Sequence, residues 1–286
     1  MSILTSKISS ERLKKLILDL KWYHTLEFPN GIVTKGVFNH KPFLEEYRFP
    51  DSLKNQDVLD VGAGDGFFSF EFERRGAKSV LAIDTNKFDG SMAINPSPSK
   101  RDSYHQKYSF YAQISKEYSD IVELLDIEGL NQLIIAKNLL NSKIIYKSYS
   151  VYDLDSIGKT FDLIFCGDLI QHLKNPLNAL EQLYGVTKKL CIISLATPLS
   201  KIKNKKFIIR RILKKLKLHG EIIYPNRLVK YVGNQSGGAF FYFHPLSFKE
   251  ALLASGFKNV DIISNFDLPS RDNIIKYPHT IFHCYI

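Results

Sequence analysis

The sequence predicts a doubly wound α/β fold, on three observations. From Asp57 onward, short apolar runs rich in β-branched residues alternate with amphipathic stretches, the pattern of a parallel sheet buried on both faces. The first of these runs ends in a glycine-rich turn that opens a helix. No run approaches the ~20 apolar residues that a membrane span needs.

The elements follow in order. Ser10 followed by Glu11 to Leu20 reads as a capped amphipathic helix with Leu13, Leu16, Ile17 and Leu20 on one face. Trp22 to Phe28, Pro29-Asn30-Gly31 and Ile32 to Thr34 read as a small hairpin about an Asn-Gly turn. With a short helix over His40–Tyr47, these form an N-terminal cap, residues 1–50, ahead of the α/β domain at 51–286. Strands are expected at Asp57–Val61, Ser79–Ile83, Ile144–Tyr149, Phe161–Cys166 and Leu190–Ala196, and helices at Gly66–Arg75, Ile127–Leu140 and Pro176–Thr187. Between Lys87 and Ser142 the pattern weakens into an enlarged connection over the mouth of the sheet, with a loop at Asn95–Ser99 and an aromatic helix at Tyr104–Tyr118. An insertion at 199–242 follows the fifth strand, then a helix at Ser247–Ser255 and strands at Lys258–Ile263 and Thr280–Ile286.

The formal net charge of +10 is a local feature. Lys201–Gly220 holds nine Lys or Arg and no acid, and without it the chain is close to neutral. Within 205–218, Ile208, Ile209, Ile212, Leu213 and Leu216 share one helical face, and Lys206, Arg210, Arg211, Lys214, Lys215 and Lys217 lie largely on the other. A solvated helix is the plainest reading; contact with nucleic-acid phosphate or with an anionic membrane surface are the alternatives. Cys166, Cys191 and Cys284 lie in apolar runs without a C-x-x-C pair, which excludes a disulfide framework and suggests a reducing, cytoplasmic setting. The N-terminus lacks the unbroken apolar core of a signal peptide.

Asp57-Val58-Leu59-Asp60-Val61-Gly62-Ala63-Gly64-Asp65-Gly66 is the most informative stretch. Glycines allow close backbone approach to a ligand. The dinucleotide fingerprint G-x-G-x-x-G would need its third glycine at Phe67, and here it is Gly66. S-adenosylmethionine (SAM) has a ribose and an amino acid but no pyrophosphate. Its site needs Gly62, Ala63, Gly64 and Gly66 for approach and an acid for the ammonium group, where Asp60 stands. Asp84, eighteen residues past Gly66, ends the second strand and suits the ribose hydroxyls. Asp153 is placed for the adenine amino group, with Tyr152 or Val151 against the ring. Cys166 and Gly167 complete the cofactor edge at the fourth strand. The alternative is a glycine turn that only packs strand on helix, but three matching features at consecutive strand ends favour the cofactor.

Methyl transfer needs a base only when the nucleophile must lose a proton. His172, a short turn past the fourth strand, is the first candidate and Asp168 the second; a turn-capping histidine and a helix-capping acid are the structural alternatives. Trp22, Tyr23 and His24 are candidates for an aromatic lid over the acceptor, or a seal for the N-terminal helix. Tyr104, with Tyr108 and Tyr111, is a further acceptor candidate on a helix face. His279 and His283 are four apart in an expected strand with no acid nearby, so no metal is expected.

The stretch VLDVGAGDGFFSFEFERRGAKSVLAID resembles class I SAM-dependent methyltransferases. With WYHTLEFPNGIVTKG upstream and FDLIFCGDLIQHLKNPLNALEQL downstream, the likeness narrows to the family of bacterial tRNA wobble-uridine modifying enzymes and their relatives. It covers Trp22 to Ala196, and more loosely Phe243 to Ile263. The resemblance implies a Rossmann-like sheet of seven strands with the last antiparallel, and SAM or, in one branch, carboxy-SAM. That branch reads the extra carboxylate with a tyrosine just before the histidine of the post-strand-four motif. Gln171 stands there, so SAM is expected and carboxy-SAM is not. The N-terminal part is short beside that branch. The expected function is O-methylation of a hydroxyl on a small molecule such as a sugar, with a wobble uridine of tRNA as the alternative. A catalytically silent SAM-fold protein that binds RNA or a partner is the reading from another class, and a dehydrogenase ranks below it.

Overall fold

The computed structural model describes residues 2–29, 31–85, 113–198, 228–236 and 238–286. Tyr104, Tyr108, Tyr111, the loop at 95–99 and the basic segment 205–218 lie outside the described residues.

Seven strands form one sheet in the order β3-β2-β1-β4-β5-β9-β8. They are β1 (Asp57–Val61), β2 (Ser79–Asp84), β3 (Ile145–Ser148), β4 (Phe161–Gly167), β5 (Thr187–Ala196), β8 (Asn259–Pro269) and β9 (Lys276–Tyr285). Strands β1 to β5 run parallel, and β9 is antiparallel to both its neighbours. This is the expected sheet, and the chain order reverses at β1 and β4, where open sheets form a crevice at their carboxyl ends.

The central strands are buried on both faces. Leu59, Val61, Ile164 and Cys166 pack into one core beneath helix α6 (Pro176–Val186) and helix α7 (Pro245–Ala254). Val58, Leu163 and Phe165 pack into the other with Phe68 and Phe72 of helix α3 (Phe67–Arg74). Phe165 is the hub of this second core, 4.4 Å from Phe68 between ring centroids and flanked by Tyr47, Phe49 and Phe72. Helix α6 starts where the sequence says it should, with Asn175 accepting from the Asn178 N–H and Pro176 at the first turn.

The cap is a third core. Leu4 of α1 (Ile3–Lys7) and Leu13, Leu16 and Ile17 of α2 (Ser10–Asp19) meet Trp22, Leu26 and Phe28. They close on Ile121 of α4 (Ser119–Leu124) and on Ile135 and Ala136 of α5 (Gln132–Leu139). The cap is therefore shared between the N-terminus and the β2–β3 connection. The helix expected at Ile127–Leu140 forms over Gln132–Leu139, its start set by Asn131, whose side chain accepts from the Ile134 N–H, and Ser119–Leu124 is a separate helix that ends before the turn at Asp126, which takes φ 52°. The hairpin before residue 40 forms, with Phe28 N–H donating to Ile32 and Thr34 N–H to Leu26.

Two differences lie near the carboxyl edge. A two-stranded ribbon, β6 (Val229–Ser236) and β7 (Ala239–Phe243), occupies the end of the expected insertion and packs over the turn after β4. Strands β8 and β9 are also longer than expected and run as one hairpin to Pro269 and Lys276. No helix among the described residues is long and apolar enough to cross a membrane.

Candidate cofactor and acceptor site

The glycine loop is held by its own N–H groups. Gly62 and Ala63 both donate to the Ile83 carbonyl, at 2.9 and 3.0 Å, and Gly66 donates to Ala63. Gly64 donates to the Asp84 carboxylate at 2.7 Å, which also accepts from Thr85. Gly62 and Gly66 take φ of 77° and 91°. A Cβ at Gly62 would meet Leu169 at 3.3 Å, and one at Gly66 would meet Phe70 at 2.8 Å. Each position needs glycine for both reasons. The loop thus offers close approach while four of its donors are already engaged, which suits a ribose and thioether better than a pyrophosphate that needs free N–H groups.

A cavity opens between this loop and the strand ends. Val61, Gly62, Ile83, Asp84 and Thr85 form one wall, and Tyr149, Val151, Leu169 and Leu173 the other. It is mostly apolar, with Asp84, Thr85 and Tyr149 as its polar side chains, the character of a nucleoside site. Asp84 keeps lone pairs for ribose hydroxyls, since each of its oxygens accepts one N–H here. Burial raises its pKa, and the Gly64 and Thr85 N–H groups oppose that rise. Asp60 is almost fully buried behind the loop and accepts from Ser69 Oγ at 2.5 Å. Burial pushes its pKa up to about 7 despite that bond. Val151 is on the cavity wall, whereas Tyr152 Oη accepts from the Asn175 N–H at 3.2 Å and Asp153 is exposed outside it. Cys166 is fully buried between β1 and β5, and its thiol pKa is pushed well up by burial.

A second polar group lies at the end of β4. Asp168 takes φ 49°, uncommon for a residue with a Cβ, with its N–H donating to Ser194. Asp168 Oδ2 lies 3.0 Å from His279 Nε2, and His279 Nδ1 lies 2.7 Å from the Tyr277 carbonyl. A carbonyl only accepts, so Nδ1 carries a hydrogen and the other nitrogen faces the carboxylate. Burial lowers the His279 pKa, but the charge and hydrogen bond of Asp168 raise it overall. Burial likewise raises that of Asp168, and the His279 charge and bond bring it below the usual carboxylate value. Asp168 and His279 are an ion pair. The sequence expectation that His279 has no acid near it is corrected by this contact between residues 111 apart in the chain.

Two buried side-chain atoms beside this pair have no hydrogen-bond partner among the described residues: Asp168 Oδ1 and Gln171 Oε1. A third, His40 Nε2, belongs to a ring whose Nδ1 lies 2.8 Å from Tyr47 Oη. Gln171 Nε2 donates to the Asp168 carbonyl. His172 is half-buried in the turn Ile170–His172, under the β6–β7 ribbon. Burial holds its pKa down, while the Gly238 backbone and the Asp168 charge act the other way.

The cap meets the loop through Asp65, which sequence reading did not select. Its Oδ2 accepts from the N–H groups of Tyr23 and His24, at 2.9 and 2.8 Å, and its Oδ1 from His24 Nδ1. The only sequence signal was its place inside the glycine turn. His24 stacks on Phe67 and faces His40 at 5.0 Å. Trp22 is buried in the cap core and donates to the Ile17 carbonyl, so it seals the cap, while Tyr23 is 45% exposed at the rim.

A methyltransferase domain model matches residues 40–262. The chain belongs to the methyltransferase-domain family. The fold is that of class I SAM-dependent methyltransferases. The tRNA U34 carboxymethyltransferase of Helicobacter acinonychis (strain Sheeba) is 28% identical over 138 residues, covering 48% of this chain and 38% of that protein. The same-named protein of Nautilia profundicola is 26% identical over 132 residues, 46% of this chain and 31% of its own length. This methyltransferase domain thus spans well under half the length of the curated relatives it matches. Among solved structures, the N-terminal domain of EvdMO1 with SAH bound shares the fold at a TM-score of 0.57 and 13% identity, covering 96% of this chain and 94% of that one.

Among the described residues, no group of three or more His, Cys, Asp or Glu side chains could hold a metal ion.

Proposed function

We propose that this methyltransferase transfers the methyl group of SAM to a hydroxyl of a small molecule, with Asp168 receiving the proton. One observation carries the reading: Asp168 is half-buried just past the carboxyl end of β4, with one oxygen fixed by His279 and the other, Oδ1, buried and without a partner among the described residues. When bound, SAM supplies an electrophilic methyl on sulfur. Asp84 and the cavity walls would hold the nucleoside part, and Asp60 would serve the ammonium group. Asp168 Oδ1 would take the hydroxyl proton as the new O–C bond forms and the methyl–sulfur bond breaks, its electron pair leaving on the thioether sulfur of the spent cofactor. His172 is assigned to holding the β6–β7 ribbon over the site, through the backbone of Gly238.

SAM is favoured over carboxy-SAM by Gln171. One of its two amide N–H groups is already given to the Asp168 carbonyl, and its Oε1, without a partner among the described residues, would repel a carboxylate. Methylation of a wobble uridine in tRNA is the second reading, supported by the curated relatives that bear that name.

Two outcomes test the cofactor assignment. Asp84→Ala is expected to weaken SAM binding by ~1–3 kcal/mol through lost charge-assisted hydrogen bonds; an unchanged affinity by calorimetry removes Asp84 from the site. Asp60 must be ionised to hold an ammonium group, and its raised pKa of about 7 puts that step within reach. SAM affinity is therefore expected to fall as pH drops from 8 to 6, on the order of the pKa above. The fall should vanish in Asp60→Asn, and an equal slope in the variant refutes the role.

A further inference from the structure

His40 comes from the cap, yet it shares the Asp168 site. The ring is almost wholly buried, and charges on Asp168, His24 and His279 all act on it. Burial, reinforced by the His24 charge, keeps its pKa well below the ordinary histidine value, so it is neutral. A neutral imidazole has one donor and one acceptor nitrogen, and its neighbours decide which is which. Tyr47 settles this. Its phenol is fully buried and stays protonated, because burial raises its pKa. That hydroxyl lies 2.8 Å from His40 Nδ1, and the Ser194 hydroxyl lowers its pKa as a donor to the phenol oxygen does, which leaves the phenol hydrogen for Nδ1. Tyr47 Oη therefore donates to Nδ1, and Nε2 carries the ring hydrogen.

The consequence is a complementary donor and acceptor. His40 Nε2 is a buried donor, and Asp168 Oδ1 is a buried acceptor, both without partners among the described residues. Leaving such groups unpaired is costly, and a native structure keeps them where a ligand completes them. Around them stand aromatic rings. Phe38 lies 5.2 Å from Tyr23 and 5.5 Å from Tyr277, and Tyr23 and Tyr277 are 45% and 38% exposed at the rim.

We propose that His40 is an acceptor-binding residue, whose Nε2–H donates to the oxygen of a neutral substrate hydroxyl while that hydroxyl donates to Asp168 Oδ1. A hydroxyl oxygen has two lone pairs and one hydrogen. With one lone pair tied to His40 and the hydrogen to Asp168, the remaining lone pair is the one free to attack, and its direction is fixed. The acceptor class is an uncharged alcohol or phenol, because an ionised oxygen acid would meet the Asp168 carboxylate. This deepens the O-methylation reading and rests on it.

The test uses the full chain saturated with SAH. Long-range proton–nitrogen correlation spectra of the His40 ring, assigned by comparison with His40→Asn, should show the hydrogen on Nε2; a hydrogen on Nδ1 overturns the proposal. Calorimetric titration with catechol, methyl fucopyranoside and 5-hydroxyuridine then probes hydroxyl binding. Asn at position 40 keeps an acceptor for Tyr47 and removes Nε2, whereas Gln restores an amide donor near it. At least one probe should bind the wild type, roughly tenfold more weakly in His40→Asn, and within about threefold of wild type in His40→Gln. SAH affinity should be equal in all three. Equal probe affinity in His40→Asn, or no binding of any probe to the wild type, overturns the assignment. Failure to bind SAH would instead sink the methyltransferase reading itself.

Discussion

Replacing Asp168 with asparagine is expected to lower turnover by roughly 10²–10⁴-fold, the usual worth of a positioned base. SAM affinity should stay within about threefold. The amide has nearly the shape of the carboxylate and still fits the left-handed backbone that Asp168 occupies. It can donate to His279 Nε2, leaving Nδ1–H on the Tyr277 carbonyl as before. What it cannot do is take a proton. Steady-state kinetics with separate SAM calorimetry checks this, and a variant that keeps full turnover removes Asp168 from the chemistry.

The same variant has a signature in stability. The His279 pKa is raised above its ordinary 6.5, so its contribution is full below that value and is lost as pH climbs through the raised one. The Asp168 pKa is lowered below 3.8, so its contribution is present above that value and is lost as pH falls through the lowered one. The gap between wild type and Asp168→Asn in denaturant unfolding should therefore be widest between these two ordinary values.

Asp65→Ala is expected to have the largest effect on the cap. The change strips partners from the backbone N–H of Tyr23, part-buried, and from the backbone N–H and ring of His24, both buried. Breaking a buried charged contact of this kind costs about 3–5 kcal/mol. The loss should appear as faster hydrogen exchange at Tyr23 and His24, with the sheet protected as before, because the sheet cores do not use Asp65. SAM should also bind more weakly, since His24 stands over Gly64, 3.8 Å from where a Cβ would be. Unchanged exchange at Tyr23 and His24 would show that the cap is held by its apolar core alone.

These residues also mark what could be read from the sequence. The sheet was legible because every central strand is an apolar run and the glycine turn has a fixed place between strand and helix. Asp60 and Asp84 were legible because they sit at set offsets from that turn. Asp65 was not, since its role depends on a cap 41 residues away in the chain. His40 and His279 were missed for the same reason: their partners, Tyr47 and Asp168, are joined to them by folding, and His279 looks in the sequence like any strand residue. The β6–β7 ribbon was passed over because it borders a basic stretch whose charge dominates the local pattern.

The central claim is that the loop and strand ends bind SAM. The most direct measurement is a calorimetric titration of the protein with SAM, carboxy-SAM and NAD. The expected result is one-site binding of SAM, with carboxy-SAM much weaker and NAD without effect. Binding of NAD in place of SAM, or no binding of SAM at all, would contradict it.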